Sequence, residues 1–129
     1  MSMVDPRTFP RKWGAAIASG IVKNALSMYS SNAVLVPTYS SEILQGHKQM
    51  APYFREFMGR PNMQVAITKV VLRKSAATPV VSGFYTITWG NAGPNEKASA
   101  RFTYALEPFR NSQGNVDWRA ITHHSSVVP

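Results

Sequence analysis

The sequence predicts an α+β fold in a single domain, 1–129, and three observations predict it. Apolar residues at helical spacing are confined to the first part of the chain, as far as about Met58. Four long β-branched and aromatic segments then follow one another towards the C-terminus. Turn-forming "SAATP", "NAGPNE" and "RNSQGN" separate them, leaving no room for crossover helices. Helices first and a meander of strands afterwards gives N-terminal helices packed on a curved, mainly antiparallel sheet.

Taken in order, Pro6 and Pro10 open a first helix that carries Trp13, Ala16 and Ile17, and Ser19-Gly20 closes it. A second short helix has Val22, Leu26 and Tyr29 at helical spacing. "SSNAVLVPT" reads as a turn into a short buried strand, Ala33–Val36, stopped by Pro37. "SSEILQGHKQM" supplies a brief extended piece, a turn at Gly46, and a third helix from about His47 to Met58. On that helix Met50, Tyr53, Phe54 and Phe57 recur on one face. The strands are "MQVAITKVVLRK", "PVVSGFYTITWG", "KASARFTYALEPF" and "VDWRAITHHSSVV". A sheet of this length curled around three helices encloses a cone with a mouth, a natural pocket.

Composition narrows the chemistry. With 44% apolar residues the chain can bury a full core. It has no cysteine, which excludes a disulfide framework, thiolate zinc sites and thiol catalysis. The formal charge is +8 because the acids are only Asp5, Glu42, Glu56, Glu96, Glu107 and Asp117. No run of five like charges and no nucleic-acid motif is present, so the charge is read as an attraction for small anions, with no nucleic-acid partner. "PRKWGAAIASGIVKNALS" imitates a signal peptide, but Ser19, Gly20, Lys23 and Asn24 interrupt its apolar run, and it is read as mature helix. No apolar run reaches membrane-spanning length; a soluble, cytoplasmic protein is expected.

The terminal "WRAITHHSSVVP" holds two of the three histidines. Strand alternation puts Ile121, His123 and Ser125 on one face, and Thr122, His124 and Ser126 on the other, beside Trp118 and Ala120. The two histidines therefore cannot chelate one ion together, and no nearby carboxylate completes a three-ligand site; no metal and no cofactor are expected. A serine nucleophile would require an oriented histidine and a sharp turn, and neither is present. What remains is His123 beside Ser125 on one wall, with imidazole the natural proton carrier near neutral pH. Thr38 in "VLVPTYS" and Tyr53 on the third helix are candidates to face them; the alternative for each is a buried hydroxyl satisfied by backbone. Arg101, within apolar "SARFTYAL", either lines a wet cavity or pairs with Glu42 or Glu107.

"WGAAIASG", "YSSNAVLVPT", "YFREF", "SGFYT", "ARFTY" and the terminal "HHSSVVP" resemble the cone-shaped NTF2-like superfamily, and within it the SnoaL-like branch that includes the calmodulin-dependent kinase association domain. The resemblance runs from Trp13 to Pro129. Within that branch the set is similar to the iota-class, metal-free carbonic anhydrases, whose motif ends in three histidines and two serines. Thr122 stands where that motif has its first histidine. The resemblance implies a pocket lined by Thr38, Tyr53, His123 and Ser125, and a lyase that interconverts carbon dioxide and bicarbonate with His123 as base. Arg101 is added as a substrate-binding candidate. The alternative is a non-catalytic small-anion-binding or oligomerising module. A homodimer through the outer sheet face is expected, with Trp118, Ala120 and Thr122 buried between subunits.

Overall fold

The computed structural model describes residues 2–93 and 95–129. Position 94, within the "NAGPNE" turn, lies outside the described residues. Helix α1 (Phe9–Ala18) follows a short 3-10 turn, Pro6–Thr8, and buries Phe9, Pro10, Trp13, Gly14 and Ile17 along one stripe. Helix α2 (Val22–Leu26) is one turn long. Strand β1 runs Tyr29–Val36, β2 is Leu44–Gln45, and helix α3 is His47–Met58. The four long strands are β3 (Gln64–Arg73), β4 (Val80–Trp89), β5 (Glu96–Arg110) and β6 (Val116–Val127). This is the NTF2-like α+β fold, with N-terminal helices on a curved six-stranded sheet.

The sheet order is β2-β1-β6-β5-β4-β3, and every neighbouring pair is antiparallel except β1 with β6. That parallel pairing brings the chain's first strand beside its last. Leu35 sits opposite His123, so Thr38 emerges close to the terminal histidine–serine pair.

Two of the sequence expectations change here. Tyr29 does not continue α2; it opens β1, where it is 1% exposed, and Ser30, expected in a turn, is a buried strand residue bonded to Glu107. A burial ladder shared with β6 outweighs the spacing that suggested helix. The second change lies in β6. The β5–β6 register steps from Ala105↔Thr122 to Leu106↔Ala120, so Ile121 is an extra residue, a β-bulge. The bulge reverses the alternation. Trp118 and Ala120 before it, and His123 and Ser125 after it, all face the core. Trp118 is 4% exposed and its indole N–H donates to the Val4 carbonyl, so Trp118 and Ala120 form no outward surface to cover between subunits. His124 and Ser126 do face away from the core, as alternation required.

A matching bulge at Thr68 shifts β3 against β4. There Gly83 lies so close to β3 that a Cβ on it would sit 1.8 Å from the Lys69 carbonyl oxygen. The two bulges bend the sheet around α1, and the concave side becomes the cavity wall. Among the described residues no helix is long and apolar enough to cross a membrane.

Candidate functional site

A cavity of about 410 Å³ opens between α1, α3 and the concave face of the sheet. Its apolar wall includes Leu35, Phe54, Ile87, Ala98 and Ala100. Thr38, Tyr53, His123 and Ser125 all line it, so four of the five sequence-selected residues are brought together. Arg101 is not among them. Along β5 the inward residues are Ala100, Phe102 and Tyr104, and alternation sends Arg101 outward, opposite Ser126, where it is exposed. Its apolar neighbours in sequence belong to the other face. It meets neither Glu42 nor Glu107 as an ion pair.

His123 is 1% exposed, with Tyr104 stacked on it at 4.1 Å between centroids and Trp13 edge-on at 5.3 Å. Both ring nitrogens are engaged. Nδ1 lies 2.7 Å from the Tyr29 hydroxyl and Nε2 lies 3.2 Å from the Tyr85 hydroxyl. The Trp13 indole N–H donates to the Tyr29 oxygen at 2.9 Å. The Tyr85 hydroxyl donates to Ser125 Oγ at 2.6 Å, and Ser125 Oγ lies 2.5 Å from Thr38 Oγ1. A continuous chain of six side chains thus runs from α1, through the core, to the cavity.

Desolvation pushes the His123 pKa down to about 3, with His124 adding a smaller effect. The imidazole is therefore neutral at physiological pH. A general base works best with a pKa near the operating pH, and both of these nitrogens are already committed to tyrosines. In this structure the ring ties Tyr29 and Tyr85 together. Burial likewise holds Tyr53 up to about 12 and pushes Tyr85 well above the ordinary phenol value, so both phenols keep their protons and remain donors. The Tyr53 ring stacks on Phe57 at 5.7 Å, and its hydroxyl has no protein partner among the described residues. It is free for a ligand.

The mouth is charged. Exposed Glu56 and Glu96 stand there with Arg60 and Lys97. The Arg60 guanidinium lies over both the Phe57 ring, at 5.6 Å, and the Trp89 ring, at 5.4 Å, which fixes a cation at the rim. Exposed Tyr39, which follows Thr38, has a φ of 62°, a costly backbone region for a bulky residue and a mark of constraint at the lip. The third histidine, His47, donates from Nε2 to the Tyr29 carbonyl and stands apart from the cavity. Among the described residues no three of His, Cys, Asp and Glu converge as metal ligands.

Three members of the chain, Trp13, Tyr29 and Tyr85, were not picked out from sequence. Alternation along β4 places Tyr85 inward with Val81 and Ile87, a usable signal. Tyr29 was hidden by its assignment to α2.

A profile of the SnoaL-like domain family matches residues 7–129. No curated protein matches the chain. Among solved structures, one from Xanthomonas campestris, named for a calcium/calmodulin dependent protein kinase II association domain, is 29% identical with a TM-score of 0.80, over 95% of this chain and 84% of that one. An NTF2-like family protein from Streptomyces avermitilis, named for a dehydratase, has a TM-score of 0.77 at 18% identity, over 94% of this chain and 91% of that one. A ketosteroid isomerase-like protein from Erwinia carotovora atroseptica has a TM-score of 0.68 at 16% identity, over 95% and 92%.

Proposed function

The chain belongs to the SnoaL-like domain family, and on that premise we propose that it interconverts carbon dioxide and bicarbonate without a metal ion. The observation that carries this reading is the convergence of hydroxyls on one otherwise apolar cavity. Thr38, Tyr53 and Ser125 meet there, backed by Tyr85 and the neutral His123. Isomerases and cyclases of related folds would use an inward carboxylate as base, whereas the carboxylates lining this cavity are the exposed Glu56 and Glu96 at its mouth.

Carbon dioxide rests against the apolar wall of Leu35, Phe54 and Ile87. As water or hydroxide adds to its carbon, negative charge develops on the carbonate oxygens. Preset donors aimed at developing charge in a water-poor site supply stabilisation without reorganising. Thr38 and Tyr53 are those donors, and Tyr53 stays protonated because burial holds its pKa at about 12. The proton released by the attacking water passes to solvent water or a buffer base at the mouth, beside Glu56 and Glu96. Zinc enzymes lower the pKa of bound water to about 7, and hydroxyl donors alone do not, so turnover is modest.

The test is stopped-flow hydration of carbon dioxide by chelator-treated protein, with Tyr53→Phe alongside. A rate proportional to protein, lowered in the variant, supports the reading; a rate equal to buffer overturns it. A second reading, a non-catalytic anion-binding or assembly module, is favoured by the neutrality of His123 and by the likeness to the association-domain structure. Large oligomers without rate would select it.

A further inference from the structure

We propose that Trp13 sets the direction of the hydrogen-bond chain, so that the Ser125–Thr38 hydroxyl pair ends in one hydrogen held towards the cavity, making it a site for ligands that offer an acceptor-only oxygen, such as bicarbonate or a small carboxylate. The inference deepens the hydration reading at the same cavity, but it stands on atoms that can be read without any activity.

An indole N–H can only donate, so the Trp13 contact of 2.9 Å makes the Tyr29 oxygen an acceptor. A phenol has one hydrogen. Among the described residues the only other polar contact of the Tyr29 hydroxyl is His123 Nδ1, at 2.7 Å, and Tyr29 is 1% exposed. Its hydrogen therefore points at Nδ1, which must offer a lone pair. A neutral imidazole then carries its hydrogen on Nε2, directed at the Tyr85 oxygen 3.2 Å away. Tyr85 donates onward to Ser125, which is bonded to Thr38. Whichever of these two hydroxyls donates to the other, the remaining hydrogen of the pair is left for the cavity that both line.

The opposite order fails at one place. With the hydrogen on Nδ1, Tyr29 would accept twice and its own hydrogen would be buried without an acceptor. A buried unmet donor disfavours that order by a factor of about 5 to more than 100. Hydrogen bonds aligned head to tail also polarise one another, which strengthens the last donor in the row. Trp13 is thus a positioning residue: its ring also lines the cavity, but its N–H is spent on Tyr29 and acts on the ligand through Tyr29, His123, Tyr85 and the Ser125–Thr38 pair.

The test is the 15N spectrum of the His123 imidazole at neutral pH, in whole protein labelled at histidine. The expected result is a pyrrole-type Nε2 and a pyridine-type Nδ1 in the wild type. A pyrrole-type Nδ1 would overturn the proposal, and this arm needs no variant to fold. In folded Trp13→Phe, which removes the N–H but keeps an aromatic ring, the Nδ1–H form should become populated. Bicarbonate, titrated by the same spectra, should bind about 5-fold or more weakly. An unchanged tautomer and unchanged bicarbonate affinity in that variant would also overturn it. Absence of hydration activity alongside the expected tautomer would sink the enzyme reading alone.

Discussion

His123 and Tyr104 stack at 4.1 Å with their planes 25° apart, yet the two rings differ in how their polar atoms are met. Both imidazole nitrogens are bonded, whereas the Tyr104 hydroxyl, on a side chain 0% exposed, has no partner among the described residues. An unmet buried hydroxyl costs about 1–3 kcal/mol. Tyr104→Phe keeps the stack and removes the orphan, so it should be neutral or stabilising by about 1 kcal/mol in urea unfolding. A loss of more than about 1 kcal/mol would show that the hydroxyl has a partner.

The His123 pKa gives a pH dependence with a definite sign. Folding lowers it from 6.5 to about 3, so between those values the unfolded chain binds the extra proton. Stability therefore rises with pH across that window and is lost as pH falls below 6.5. Between pH 7 and pH 4.5 the loss should be about 2–3 kcal/mol at ~1.4 kcal/mol per unit. Urea melts at the two pH values should show it, and His123→Gln, which cannot take a proton, should flatten the slope. Equal slopes in wild type and variant would mean that another group drives the acid limb.

Gly83 tests the bulge that curves the sheet. Any side chain there meets the Lys69 carbonyl, and a Cβ would also lie 2.9 Å from the Phe102 ring. Gly83→Ala should destabilise by about 1–3 kcal/mol or more, by forcing the packed strands apart. A melting temperature unchanged from wild type would show that β3 and β4 can separate freely at this point.

The two terminal histidines separate core from surface. His123→Ala leaves the Tyr29 hydrogen without its acceptor and opens a hole against Tyr104, so it should cost several kcal/mol along with any activity. His124→Ala, on the exposed face beside Arg101 and Ser126, should leave the melting curve and the bicarbonate affinity close to wild type. Comparable losses in both variants would contradict the burial assignment.

Much of this site could be read in the sequence because strand alternation is a local rule. Within the stretch after Ile121, two-residue periodicity alone puts His123 and Ser125 on one wall and His124 on the other. Helix α3 is equally legible: Gly46, with a φ of 80°, marks its start, and of the face Met50, Tyr53, Phe54 and Phe57 the structure buries Met50 and Phe54 fully and half-buries the other two. The rule failed where an extra residue reset the phase. Nothing in "WRAITHH" announces that Ile121 is bulged, so unbroken alternation puts Trp118 and Ala120 on the outer face, whereas the structure buries both in the core. At Arg101 the opposite holds: its apolar neighbours suggest a buried run, but alternation already places it outside. The chain from Trp13 to Thr38 joins α1, β1, β4 and β6, and long-range pairings of that kind have no local signature.

The most direct measurement of the central claim is the loss of 18O from labelled bicarbonate at chemical equilibrium, followed by mass spectrometry with chelator-treated wild type and Thr38→Val. It reports interconversion of carbon dioxide and bicarbonate without net flux or an indicator. The expected result is exchange above the buffer rate, proportional to protein, insensitive to chelation, and reduced about 100-fold when the Thr38 hydroxyl is removed, the scale of losing one charge-stabilising donor. Exchange equal to buffer alone, or undiminished in a folded Thr38→Val protein, would contradict it.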